Sequence, residues 1–382
     1  MAGLDPTWVD EAAGWAGSYI HIPFCATVCP YCDFAVVEGR DDMVRRYIDA
    51  VVAEIGTEPP WRELDSVFVG GGTPSHIEAA LLGELLAALR NRFGIVAHAE
   101  ITLEANPEDW SPGRAQALRA AGFNRVSFGA QSLDSDVLDF LGRRHGPADV
   151  TEAVRVARQQ GFASVSVDLI LGSPIESFAS WQKTVDGVIE LEVDHVSTYE
   201  LTVERGTPFG LAVEKGAPGP DPDDQADKYE YAGQALSAVG LMRYEVSSYA
   251  RAGHECRYNL TVWAHGEYLA FGMGAHGHRE GIRTWRVGRL QTYVHRIEEG
   301  QSPVKGDQRL TGDERERERI MVGVRRSVGV AAGAVGRHGL RGAEARRMVQ
   351  AGIVADRVDR IVVEQPLLTD TVVRSILASD QS

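Results

Sequence analysis

The chain has 382 residues, 44% of them hydrophobic, and a net charge of −15. That length accommodates one large domain and a small one. The charge excludes a general nucleic-acid binder, which needs a basic footprint. No run approaches the roughly 18 apolar residues of a membrane span, and Met1–Ser18, with Asp5, Asp10 and Glu11, lacks the apolar core of a secretory signal. The expectation is a cytoplasmic protein with no integral membrane segment and reduced thiols.

Strand and helix patterns alternate from residue 17 to about 200. The periodicity predicts strands over Ser18–Ile22, Ser66–Val69, Glu100–Glu104, Arg125–Gly129, Ser164–Ile170 and Val193–Tyr199. Helices are expected between them near 41–56, 77–92, from Ser111-Pro112 to Gly122, up to Leu141, 147–160 and 177–191. Repeated βα units imply a parallel sheet with helical crossovers. Six units without a dinucleotide fingerprint suggest a partial (β/α)6 barrel. Beyond Tyr199 the pattern loosens: a loop over 214–224, a helix near 225–239, a strand near 242–248, then an aromatic, histidine-rich stretch over 250–300. A break near 300–312 precedes Thr311-x-x-Glu314, a capping box. The rest reads as a small helical domain with a β element around Arg360–Val363. The expected units are an N-terminal extension over 1–17, the barrel over 18–300 with extra α+β elements, and a C-terminal helical domain over 306–382.

Polar residues fall at the C-terminal ends of successive predicted strands: the cysteine loop, Gly70–Thr73, Glu104, Gln131, Asp168 and Tyr199-Glu200. In a β/α barrel those ends converge on one mouth, where sites are built. Three of the four cysteines, Cys25, Cys29 and Cys32, are spaced C-x3-C-x2-C in the first of these loops. Three thiolates on a [4Fe–4S] cluster leave one iron open to a non-protein ligand. Zinc is the rival, with His21 as a fourth ligand, although no second knuckle is present. The spacing favours iron–sulfur.

The run Tyr19-Ile-His21-Ile-Pro-Phe-Cys25-x3-Cys29-Pro-Tyr-Cys32-Asp-Phe34 resembles the radical S-adenosylmethionine (SAM) superfamily, in its coproporphyrinogen-dehydrogenase-like branch. Gly70-Gly-Gly-Thr-Pro-Ser75, Glu104-Ala-Asn-Pro107, Asn124 to Gln131, Leu141 to His145 and Val167-Asp168 extend the likeness, as do Gly206 to Phe209 and Tyr244 to Ala250. Phe34 stands where the branch's oxygen-independent oxidase carries a fourth cysteine, so the chain is more similar to the haem-chaperone side. The resemblance implies a winged-helix-like C-terminal domain. It implies a [4Fe–4S] cluster on Cys25, Cys29 and Cys32, with SAM chelated by the open iron. Gly71, Gly72 and Thr73 would lie near the methionine part of SAM. Glu104 would accept from its amino or hydroxyl groups. Gln131, Arg143 and Asp168 match further SAM-contacting positions, and Tyr19 and Tyr31 would line the pocket, Tyr31 beside the adenine. The chaperone family's His-Asn-x-x-Tyr motif, linked to haem binding, aligns with Tyr258-Asn259-Leu-Thr-Val262. Tyr258, Asn259 and His276 are the candidate haem residues here.

Blander readings stand beside these. Tyr19 can be a plain strand residue and Arg143 a surface ion pair. Cys256 reads as a small buried apolar group, and His276 and His278 as loop residues bonded to backbone. Three functions follow. The first is a chaperone that binds haem and passes it to a haem-accepting protein of unknown identity. The second is a radical-SAM enzyme, resembling the oxidase and acting on a tetrapyrrole, with an electron donor such as flavodoxin or ferredoxin. The third is a zinc-stabilised, non-catalytic protein.

Overall fold

The computed structural model describes residues 11–357 and 359–378. Of the expected N-terminal extension, residues 1–10 lie outside the described residues. Six parallel strands form the centre: β1 (Ala16–Ile22), β2 (Leu64–Gly71), β3 (Ile95–Ala105), β4 (Arg125–Gln131), β5 (Ser164–Leu171) and β6 (His195–Glu200). They stand side by side in sequence order, each joined to the next by one or more helical crossovers. These are the six strands expected from periodicity, each extended by a residue or more at one end or both, except that β6 starts two residues late.

Their residues explain the arrangement. β1 and β5 are buried on both faces apart from one residue each, as strands under crossover helices must be. Ile20 and Ile22 join the main core with Val67, Val69, Leu103, Val126, Val165 and Val196. The helices start and stop where their caps say. Ser111 Oγ accepts from the Arg114 N–H, Pro112 takes the first helical position, and Gly122 ends the helix with φ +117°.

The sheet continues outward on both sides to twelve strands. Beyond β6 lie Ser248–Ala250 and Met242–Arg243, antiparallel to each other. The single strand expected near 242–248 is therefore two short ones around a turn. On the other flank Glu267–Phe271 runs parallel to β1, followed by antiparallel strands His276–Arg279, Ile282–Arg286 and Val304–Arg309. Among the described residues the two ends do not pair, so the fold is a partial barrel and not a closed one. The break expected over 300–312 holds the last of these strands. The loop expected over 214–224 is shorter, because Asp221 caps a helix over Pro222–Ala238. The helix expected near 225–239 is present and starts three residues early, whereas a helix over Pro208–Glu214, opened by Thr207 and Pro208, went unpredicted.

Glu54 ties the outer flank to the centre. It is buried and accepts from Arg286 Nε (2.9 Å), the Tyr293 hydroxyl (2.6 Å) and the Gly272 N–H (2.9 Å). The C-terminal part opens at the predicted capping box: Thr311 Oγ1 accepts from the Glu314 N–H at 3.3 Å, and Glu314 accepts from the Thr311 N–H at 2.7 Å. It packs helices Gly312–Gly323, Gly333–Gly339, Ala343–Gln350 and Thr369–Ala378 with a three-stranded sheet. Ile320, Val330, Ile361, Val372 and Ile376 form a core separate from the main one. This is a winged-helix-like arrangement. Among the described residues no helix is long and apolar enough to cross a membrane.

Candidate functional site

A cavity of about 680 Å³ opens at the C-terminal ends of the parallel strands. The loop after β1 brings Cys25, Cys29, Tyr31 and Cys32 to it. The end of β2 brings Gly71, Gly72 and Thr73. Glu104, Gln131 and Asp168 come from β3, β4 and β5, and Arg143 from the loop after the helix Ser135–Phe140. Eleven sequence-predicted residues thus share one wall-to-wall space. Tyr19 does not join them.

Gly72 shows how tightly the cysteine loop is seated. A Cβ there would lie 2.9 Å from Cys25 Sγ and 2.8 Å from the Pro23 carbonyl carbon. Gly71 has φ +116°, a conformation that suits glycine, and its N–H donates to Glu104 Oε2 at 2.9 Å. Gln131 takes φ +64° at an irregularity in the β4–β5 pairing, a strained placement that turns it at the cavity. Arg143 is no surface ion pair. It donates to Asn106 Oδ1 (2.6 Å) and the Gly129 carbonyl (2.9 Å), and its Nη1 lies 3.4 Å from Cys29 Sγ. Asn106 is a cavity residue that sequence reasoning passed over, although it belongs to the Glu104-Ala-Asn-Pro107 run.

The electrostatics are those of a site waiting for a ligand. Burial pushes the Cys25 thiol up to about 11 and raises Cys32 as well. Burial also pushes the Glu104 carboxyl up to about 7, with the nearby Asp168 adding to it. Asp168 is raised by burial and accepts from Ser127 Oγ at 2.9 Å. Two carboxyls sharing a desolvated floor favour a ligand that brings positive charge or hydrogen-bond donors.

His21 is not a fourth zinc ligand. Its Nε2 donates to the Ala35 carbonyl at 2.8 Å, and its Nδ1 accepts from the Tyr19 hydroxyl at 3.1 Å. Among the described residues no three His, Cys, Asp or Glu side chains converge to hold a single metal ion. A four-iron cube takes its thiolates at separate corners, which three cysteines spread along one loop suit better. The donor set fits the cluster: three thiols, a cationic Arg143 beside one of them, and a glycine where the loop needs clearance.

A second cavity of about 510 Å³ adjoins the first, sharing Phe34, Gly71, Tyr199 and Ser247 with it. Tyr19 lines this one, because Tyr19 and His21 share the face of β1 opposite Ile20 and Ile22. Tyr258, Asn259, Val262 and His276 line it too. The three candidate haem residues therefore meet, although the helix Arg257–Trp263 and the strand His276–Arg279 were not predicted. His278 does not face this cavity. Its Nδ1 donates to the Gly266 carbonyl at 2.9 Å, as the bland reading expected, and Cys256 is fully buried.

The C-terminal part roofs the first cavity with Arg325, Pro366, Leu367, Thr369 and Asp370. Arg325 pairs with Asp370 at 2.6 Å and lies over the Trp263 ring, 5.7 Å from its centroid. Sequence reasoning had no signal for these residues, since contacts across more than a hundred positions leave no local pattern.

The family model described as "Radical SAM superfamily" matches residues 19–188, from β1 through the helix after β5. The heme chaperone HemW of Mycobacterium tuberculosis is 38% identical over 374 residues, 94% of each chain. The chain belongs to the HemW family of radical SAM proteins. The heme chaperone HemW of Bacillus subtilis is 35% identical over 321 residues, covering 82% of this chain and 84% of that one. Among solved structures, coproporphyrinogen III oxidase (HemN) of Escherichia coli superposes with a TM-score of 0.82 over 97% of this chain and 93% of that one, at 22% identity. At that identity the likeness shows the shared fold.

Proposed function

We propose that the chain is a haem chaperone, which binds haem and hands it to a haem-requiring protein. In this reading residues 18–300 carry a [4Fe–4S] cluster and SAM, and residues 306–382 cover their cavity. The observation that carries it is the pair of adjoining cavities, one ringed by three thiols and the other by aromatic side chains with one exposed histidine. The names of the relatives point the same way.

Cys25, Cys29 and Cys32 are the residues that hold the cluster, and Arg143 offsets negative charge at Cys29. Gly71, Gly72 and Thr73 lie beside the cysteine loop and provide the backbone surface for the methionine part of SAM. The Glu104 and Asp168 carboxyls accept from its ammonium or hydroxyl groups, and Gln131 closes that wall. Tyr31, held against Cys29 and Arg143, provides a ring for the adenine. The cluster and SAM, when bound, supply one-electron chemistry. The haem cargo belongs in the second cavity, against Tyr19, Tyr258 and Asn259. The thiol and aromatic cavities share Gly71, which also favours a second reading. That reading is a radical-SAM enzyme acting on a tetrapyrrole in the aromatic cavity, served by a flavodoxin- or ferredoxin-type donor.

The test uses the anaerobically reconstituted full chain. Saturable haem binding by Soret absorbance, followed by loss of that haem to an apo-haem protein, is the expected result. Absence of saturable binding sinks the chaperone reading. Release of 5′-deoxyadenosine that rises with an added porphyrinogen selects the enzyme instead.

A further inference from the structure

We infer that His276 is the iron ligand of the bound haem, taking over from the positions where the family motif places its histidine and tyrosine. The inference rests on the haem-binding reading and adds the atom that holds the iron. The aromatic cavity, at about 510 Å³, falls in the usual 300–1,000 Å³ range of small-molecule pockets. Its walls suit a flat macrocycle: Tyr19 and Tyr258 stack with centroids 6.0 Å apart, and Tyr258 meets Tyr268 edge-on at 5.8 Å.

The potential donors in the cavity can be taken in turn, beginning with Tyr199 and Tyr268, whose phenols burial holds above their ordinary range and which offer no tyrosinate. Val262 has no donor atom. Tyr258 is turned into the aromatic stack with Tyr19, Phe68 and Tyr268, and burial holds its phenol far above its ordinary range, so it does not offer a tyrosinate. Tyr19 spends its hydroxyl on His21, whose two nitrogens are both bonded. Glu245 is buried, accepts from the Ser247 N–H at 3.1 Å, and is raised by burial toward its neutral form. His276 is different. It lines the same cavity as the helix Arg257–Trp263, is exposed, and its ring makes no hydrogen bond among the described residues. Its ring lies along Trp285, with centroids 6.4 Å apart and planes 22° apart, which fixes its orientation. The ligand has moved from a helix to a strand that lines the same cavity.

The experiment is a ferric haem titration of the full, cluster-reconstituted chain, read by Soret position and electron paramagnetic resonance. The wild-type chain is expected to give a nitrogen-ligated spectrum. H276G should lose it and bind at least about tenfold more weakly, since even outer partners of a metal ligand carry that weight. Added imidazole should restore the spectrum of H276G. H276C should produce a thiolate-type spectrum, which a residue with a merely structural role would not do. Y258F should keep the nitrogen-ligated spectrum. An unchanged spectrum in H276G, failure of imidazole to restore it while the cluster absorbance is intact, or a ligand change in Y258F overturns the assignment. No saturable binding by the wild-type chain overturns the haem reading itself. Binding by the wild type with an unchanged H276G overturns only His276.

Discussion

Glu104 carries a testable linkage between pH, stability and ligand. Burial raises its carboxyl in the folded chain to about 7, above the roughly 4.3 of an unfolded glutamate. A raised folded value means the neutral acid is favoured by folding. The stability it contributes is fully present below the unfolded pKa and is lost as pH rises through about 7. The loss amounts to roughly 4 kcal/mol. Glu104→Gln removes the titration. Urea midpoints of the ligand-free proteins at about pH 5 and about pH 8 should show the variant gaining on wild type at the higher pH. An equal gap at both values contradicts the assignment. SAM affinity should fall in the same variant. The cysteines allow a simpler prediction: Cys29→Ala should leave no stoichiometric [4Fe–4S] cluster by iron and sulfide analysis. Retention of the cluster refutes the ligand set.

At the scale of elements, the turn after β2 and the buried Glu54 can each be tested. Gly72→Ala places a methyl 2.8 Å from backbone at Pro23 and 2.9 Å from Cys25 Sγ, and backbone cannot step aside as a flexible side chain does. Cluster content should fall sharply while the far-ultraviolet circular dichroism stays; normal iron loading would mean the loop tolerates the shift. Glu54→Ala leaves Arg286 buried without its carboxylate and should cost about 3–5 kcal/mol in urea denaturation. A change below about 1 kcal/mol would show that the outer strands hold without that tie. The elements themselves were legible where sequence carried a local signal: six strands, the Ser111 and Thr311 caps, the Gly122 stop. Where turn residues dominate, the helix opened by Thr207-Pro208 was missed and the one opened by Asp221-Pro222 was started three residues late, because these residues are also good helix starts. The short strands over 276–286 were missed because Gly, His and Arg interrupt their alternation.

At the scale of the whole molecule, two cores meet over the thiol cavity. Ile320 is fully buried in the smaller core, so Ile320→Ala should cost about 2–5 kcal/mol there. Calorimetry should show the transition of the C-terminal part moving down while that of the large sheet stays. Labelling of Cys25 and Cys32 in the cluster-free chain should then speed up at temperatures between the two transitions. One transition shifted as a whole would mean that the cores melt together and that the roof does not open independently.

The sequence by itself determined the cysteine trio, the order of the six parallel strands and the residues at their C-terminal ends. Those features are written in short spacings and in a period of two or 3.6, which neighbouring residues impose on each other. It also pointed to eleven of the cavity residues: ten lie at or just past strand ends, which a parallel sheet sends to one side, and Arg143 was reached through the family resemblance alone. Tertiary structure alone decided which cavity each residue serves. Alternation along β1 separates Tyr19 and His21 from Ile20 and Ile22, but only packing shows that the first pair faces the aromatic cavity. It alone brought His276 into one cavity with Tyr258, and Arg325 and Asp370 into the other with the thiols. Such juxtapositions are made by chain segments far apart in sequence, and the energy that fixes them is the burial of shared surface, which no local pattern records.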